Sequence, residues 1–195
     1  MSVLSYLGYQ RFFAEPKETE AISELNQAQY FFELALVSNE SDSLFKLALN
    51  GGEGKYGFLD IVDEYSGTKA ANLANYSIGM SYLNLKEYDK AITYLEKFNS
   101  DDILLKSISL GTIGDCFSEL NQPKEAYEYY KKAFKHNENI YTTPKYLLKA
   151  ALIGSELGEY SSALNYLNRI KEEFPDSHEF SSVEVQIGRI ENLNN

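Results

Sequence analysis

A threefold internal repeat limits this chain more than any other feature. Three stretches align on Ala91, Ala126 and Ala163, at a period of about 35 residues. They read NYSIGMSYLNLKEYDKAITYLEKF from Asn75, LGTIGDCFSELNQPKEAYEYYKKA from Leu110 and LLKAALIGSELGEYSSALNYLNRI from Leu147. Each stretch carries an apolar helical pattern, a short polar turn and a second apolar helical pattern, which predicts a helical hairpin. Antiparallel helices packed about 8–10 Å apart need small residues where their axes come closest. Gly79, Gly114 and Ala151 supply them on the first helices, and the three aligned alanines on the second. Ile78, Tyr82, Ile113, Phe117, Tyr130 and Leu167 are the large side chains expected around those crossings. The turn calls for a residue tolerant of the left-handed conformation, which suits Asn121 and Gly158 and suits Lys86 less well. Pro123 and Pro144 fit a first helical turn, the latter with Thr143 as its cap, and Pro175 fits a chain leaving a helix.

The pattern resembles the tetratricopeptide repeat family over roughly residues 72–177, in units of about 72–105, 107–140 and 144–177. The second unit matches best, with Leu110, Ile113, Gly114, Phe117, Ala126, Tyr130 and Ala133 on the signature positions. The first departs at Asn75, where a large residue is usual, and at Phe98, where alanine is usual. The third departs at Gly154, where an aromatic is expected, but keeps Gly158, Tyr160, Ala163 and Pro175. The resemblance implies an all-α, right-handed superhelical stack of hairpins in which each buries its faces only against neighbours.

The flanks are atypical. Residues 16–71 read as a degenerate helical repeat. Its first helix, EAISELNQAQYFFELAL, puts Ile22, Leu25, Ala28 and Phe32 on one face. A second, SDSLFKLALN, opens at Ser41 or Ser43 and stops at Gly51-Gly52, and FLDIVDEY (58–65) is a third. Residues 178–195, with Phe180, Val183, Ile187 and Ile190 at helical spacing, form a capping helix. Residues 1–15 begin with VLSYLGYQRFF, apolar and aromatic and uncharged until Arg11. One reading is a frayed helix packed on the repeats. The other is the water-side end of a transmembrane helix lying upstream, with Tyr6, Tyr9, Phe12 and Phe13 as its interfacial aromatics. The order of segments is similar to that of bacterial single-pass membrane proteins with a tetratricopeptide domain outside the membrane, translocon-ancillary components among them. That resemblance favours the second reading and implies a bacterial membrane anchor with periplasmic repeats.

Charge and composition exclude several functions. A formal net charge of −11 without a basic patch disfavours nucleic acid. One cysteine and two histidines make neither an internal disulfide nor a zinc site. GEGKYG (52–57) has the letters of a dinucleotide fingerprint but follows a helical segment rather than a strand, so it reads as a flexible loop and no cofactor is expected. Cys116 has neither His136 nor His178 assigned to it as a base, and carboxylate neighbours such as Asp101-Asp102 and Glu172-Glu173 do not face each other on a helix. No catalytic constellation emerges, and the chain is expected to be no enzyme.

Binding is expected on the face opposite the hairpin crossings. Leu73, Tyr76, Met80, Leu83 and Asn84 share one side of their helix. In the tetratricopeptide family that side lines a concave groove for extended peptides or helices. The resemblance carries the same role to Ile108, Gly111, Asp115, Ser118 and Glu119 in the second repeat, and to Lys145, Leu148, Leu152, Ser155 and Glu156 in the third. Members that grip a C-terminal carboxylate line this groove with lysines and an asparagine. Here Lys145 is the one basic residue at these positions, so an amphipathic or weakly basic partner segment is expected instead. Two rivals stand beside this: the N-terminal helices fold over the apolar floor, or the floor and N-terminal segment serve a homo-oligomer or membrane assembly.

Overall fold

The computed structural model describes residues 10–52 and 54–193, with residues 3 and 7, and divides the chain into two units, Met1–Asn99 and Ser100–Asn195. Tyr6 and Tyr9 of the aromatic N-terminal stretch lie outside the described residues. All regular elements among the described residues are helical, apart from one isolated bridge between Gly52 and Lys55.

In the first unit a π-helical turn, Gln10–Ala14, leads into α1 (Glu15–Val37), followed by α2 (Ser41–Asn50), α3 (Phe58–Glu64), α4 (Lys69–Asn84) and α5 (Tyr88–Lys97). The side of α1 that turns inward carries Ala21, Leu25, Ala28, Phe32 and Ala35. Ile22, expected on that side, is half exposed, because the buried stripe runs one residue earlier, through Ala21. Phe32 meets Phe45 of α2 and Phe58 of α3 edge-on, with ring centroids 5.7 and 6.1 Å apart. Rings in this arrangement set a positive edge against a negative face. Neither Ser41 nor Ser43 caps α2; Ser38 Oγ instead accepts the Glu40 amide, and Gly51 (φ 70°) ends the helix. In the loop after it, one reciprocal pair of backbone bonds is made. The Gly52 and Lys55 amides and carbonyls bond reciprocally, at 3.2 and 3.0 Å.

The start of α4 shows how the accessory helices join the first hairpin. Thr68 Oγ1 accepts the Ala71 amide and donates to the Tyr65 carbonyl. The Glu18 carboxylate, arriving from α1, accepts the Lys69 and Ala70 amides at 2.7 and 3.0 Å. A carboxylate there satisfies orphan donors and opposes the helix dipole. Further along, Ser77 donates to Gln29 of α1. Ala70, Ala74 and Ser81 share its face and are buried with it, so the side of α4 toward α1 is made of small residues.

The second unit comprises α6 (Ile103–Glu119), α7 (Pro123–His136), α8 (Thr143–Glu156), α9 (Tyr160–Glu173) and α10 (Phe180–Leu193). Asp102 caps α6, its carboxylate accepting the Leu104 and Leu105 amides. Thr143 lies inside α8 rather than capping it. Its hydroxyl accepts the Asn139 amide, and the Asn139 side chain accepts from Tyr141 and Thr142. In α10, Val183 and Ile190 are buried while Phe180 stays partly exposed.

The hairpin turns repeat atom for atom across both units. Lys86, Asn121 and Gly158 each adopt positive φ (59°, 56° and 81°). The next amide in each case closes onto a carbonyl five residues back: Glu87 to Tyr82, Gln122 to Phe117 and Glu159 to Gly154, at 2.9, 2.9 and 2.8 Å. This is the 6→1 bond of a Schellman motif. Lysine, the residue less suited to it, takes the same shape as glycine.

Candidate interaction faces

The hairpin crossings depend on small residues, as their spacing predicts. A Cβ on Gly79 would stand 2.4 Å from Leu95 Cγ, and one on Gly114 would stand 2.7 Å from the Tyr130 ring. Two further glycines make room for tyrosines. Gly154, where the third repeat departs from its family's aromatic, lies beside the Tyr127 ring, which is 3.1 Å from where a Cβ would be. Gly111, expected in the groove, is buried, and a Cβ there would stand 2.0 Å from the Tyr146 ring. It is a packing position and offers no surface to a ligand.

In the first unit, Leu73, Tyr76, Met80, Leu83 and Asn84 fall on one side of α4. Leu73 is 38% exposed, Tyr76, Met80 and Leu83 are half-buried, and Asn84 is exposed, donating to the Met80 carbonyl. Tyr76 packs its ring 5.1 Å from that of Phe98. Phe98 is itself 2% exposed, so this large residue at an alanine position has become the base under Tyr76. Burial pushes the Tyr76 hydroxyl pKa above its ordinary value. The helix α1 meets α4 at Ser77, one turn from Leu73 and Met80, so it borders this side, and Leu73, Met80 and Leu83 keep part of their surface in water.

In the second unit, α6 brings Ile108, Asp115, Ser118 and Glu119, and α8 brings Lys145, Leu148, Leu152, Ser155 and Glu156. Ile108, Leu148 and Leu152 are half-buried, whereas Glu119, Lys145 and Glu156 are exposed. The sequence reading overlooked Lys149, one helical turn beyond Lys145. Its ammonium donates to Asp115 Oδ1 at 2.5 Å, and the Tyr130 hydroxyl donates to the same oxygen at 2.7 Å. Asp115 is therefore a tie between α6, α7 and α8 as well as a surface carboxylate. The Tyr130 ring stacks nearly parallel on Tyr146, centroids 6.3 Å apart, and Lys149 lies over its face. Burial, then the Asp115 charge, raise the Tyr130 pKa well above the tyrosine range. Both ion-pair partners keep about a third of their side-chain surface in water, so solvent screens the pair.

The remaining chemistry is quiet. Cys116 is buried, and that burial, with Asp115 nearby, pushes its thiol up to about 12, so it stays protonated and poorly nucleophilic at neutral pH. Among the described residues, no group of three or more histidine, cysteine or acidic side chains is placed to hold a metal ion.

One tetratricopeptide repeat family model matches residues 74–100 and 108–139, and another matches residues 146–177. The three matches fall on the three hairpins, which are similar to tetratricopeptide repeats. No curated protein matches the chain at a significant level. Among solved structures it is similar to two crystal structures of a Podosopora anserina protein, described as a kinesin light chain with nearly identical TPR-like repeats. One of the two is a single-residue variant of the other. Both superpose with a TM-score of 0.58 at 12% identity, over 91% of this chain and 87% or 88% of theirs. At that identity the likeness establishes the all-α repeat fold and nothing of the ligand. Tetratricopeptide repeats as a class are protein-interaction modules whose surfaces hold partner segments. Among the described residues no helix is long and apolar enough to cross a membrane.

Proposed function

We propose that this chain is a non-enzymatic interaction scaffold whose first-helix faces hold an amphipathic or weakly basic segment of a partner protein. The observation that carries this reading is the state of α4. It is buried around most of its circumference by small residues and large neighbours, yet Leu73, Met80 and Leu83 keep apolar surface in water. Apolar surface gathered on one side of a helix gains free energy when a partner covers it. Exposed Glu119 and Glu156, at the ends of α6 and α8, favour a partner with basic residues.

The proposed setting is the outer side of a bacterial membrane, with the repeats tethered through residues upstream of α1. Phe12 and Phe13 support it by standing exposed before α1, as interfacial aromatics would. The test is crosslinking and pull-down from native membranes with the natural N-terminus present, set against a Met80→Asp, Leu83→Asp variant of unchanged helicity. A partner captured by the native protein and lost by the variant is the expected outcome. Equal capture by both would remove the α4 face from the reading.

A second reading, an assembly subunit, draws support from the outer side of α1. Tyr30 and Val37 are 57% and 83% exposed there, with Leu34 between them, facing away from the buried stripe of the same helix. Sedimentation equilibrium separates the two, since a strictly monomeric chain has no use for that stripe in self-association.

A further inference from the structure

A second surface of the second unit shares no residue with the repeat faces just described. The α7–α8 loop and the α9–α10 turn enclose a pocket of about 440 Å³. One wall is the outward-pointing pair Ile140 and Tyr141, 68% and 71% exposed. Large apolar side chains usually protrude this far from mobile loops, but this loop is wired in place. Asn139 accepts the Tyr141 and Thr142 amides, both at 2.9 Å, and donates to Asn137 O and Thr142 Oγ1. The other wall is Phe174, Pro175 and the turn to Glu179, closed by the Ser177 amide on the Phe174 carbonyl. Arg169 fastens the walls together. It forks onto both oxygens of Glu173, at 2.9 and 2.8 Å, and reaches Glu138 at 3.1 Å. These bonds hold the backbone of both walls, which lowers the ordering that binding there would cost.

Its charge selects the occupant. Arg169 pairs with Glu138 and Glu173 but cancels only one of their two charges, and Asp176 and Glu179 stand as further carboxylates on the lining with His178 beside them. Beneath, the Ser177 hydroxyl oxygen is buried with no hydrogen-bond partner among the described residues. A cavity with apolar and aromatic walls and an acidic rim suits a long side chain with an aliphatic stem and a cationic head. We infer that this pocket is a docking site for an arginine or lysine side chain on a segment of a partner protein. The stem lies between Ile140, Tyr141 and Phe174, and the head meets Asp176 and Glu179, with the Tyr141 ring face offering a further cation–π contact. The site is independent of the α4, α6 and α8 faces.

The test is a titration of the ¹⁵N-labelled full chain with the capped peptide acetyl-Gly-Arg-Leu-Arg-Gly-amide, alongside its glutamate counterpart. The arginine peptide is expected to move the amide signals of residues 139–142, 174 and 176–180, more strongly at low salt, and the glutamate peptide is not. Asp176→Asn with Glu179→Gln should weaken binding about fivefold, from two partly solvated charge contacts. Tyr141→Ser should weaken it with the melting curve unchanged, while Met80→Asp, Leu83→Asp leaves it intact. The inference is overturned if the peptide does not bind at millimolar concentration, or if the shifts map elsewhere. It fails equally if the neutralised variant or the glutamate peptide binds as well as the reference pair.

Discussion

The two units fill their interiors with different chemistry. The first, Met1–Asn99, surrounds its one hairpin with three extra helices and concentrates on phenylalanine: Phe32, Phe45 and Phe58 meet edge to face, all buried. The second, Ser100–Asn195, packs two hairpins and a terminal helix around tyrosines, and Tyr130 carries a hydroxyl that must be satisfied. Asp115 meets that need and binds Lys149 at the same oxygen. A phenylalanine core tolerates any neighbour of the right shape, whereas a tyrosine core also demands a polar partner in a set direction. The phenylalanine cluster of the first unit is thus fixed by shape, and the Tyr130 cluster of the second by shape and hydrogen bonding together.

The sharpest way to break this contrast is Phe58→Ala. Removing a ring with no exposed surface at the centre of the aromatic cluster should cost about 3–5 kcal/mol, read from the urea midpoint. A loss below about 1 kcal/mol would mean that the cluster is loosely packed and that shape does not define it. In the second unit, Asp115→Ala removes the acceptor shared by the Tyr130 hydroxyl and the partly solvated Lys149 ammonium and should cost about 1 kcal/mol. Adding Tyr130→Phe should recover part of that loss, because the hydroxyl that lost its acceptor goes with it. No recovery in the double variant would show that Asp115 acts through Lys149 alone. The smallest effect belongs to a feature the units share. Lys86→Gly relieves a left-handed lysine, a gain of roughly 1–2 kcal/mol, against a glycine entropy cost of roughly 0.5–1 kcal/mol. A net stabilisation of about 0.5 kcal/mol is expected in a melting experiment, and a destabilisation would mean that the lysine side chain contributes to this turn.

These contrasts mark how far the sequence could be read. Hairpins, crossings and turns follow from local periodicity and small residues, so Gly79, Gly114, Asn121 and Gly158 stand where their letters put them. The missed features depend on contacts distant in sequence. Lys149 finds Asp115 across 34 residues, and Gly111 makes way for Tyr146 from another helix. Neither partner could be paired from the pattern of one helix alone. Ile22 was misplaced by one residue because alanine, with little apolar weight, carries the true stripe through Ala21. Caps were missed for a related reason. The residue completing the α4 terminus, Glu18, comes from α1, where no local motif announces it.

That carboxylate has a practical side for anyone trimming the chain. The first repeat match begins at residue 74, already inside the helix that starts at Lys69. A fragment cut to the repeat letters would lose the helix's first turn together with both its caps, Thr68 and Glu18. It would also enter solution with Ala74, Ser77 and Ser81 bare. An expression boundary drawn from repeat matching alone would thus sever a helix, and a sound one falls before α1, so that Glu18 travels with the helix it completes.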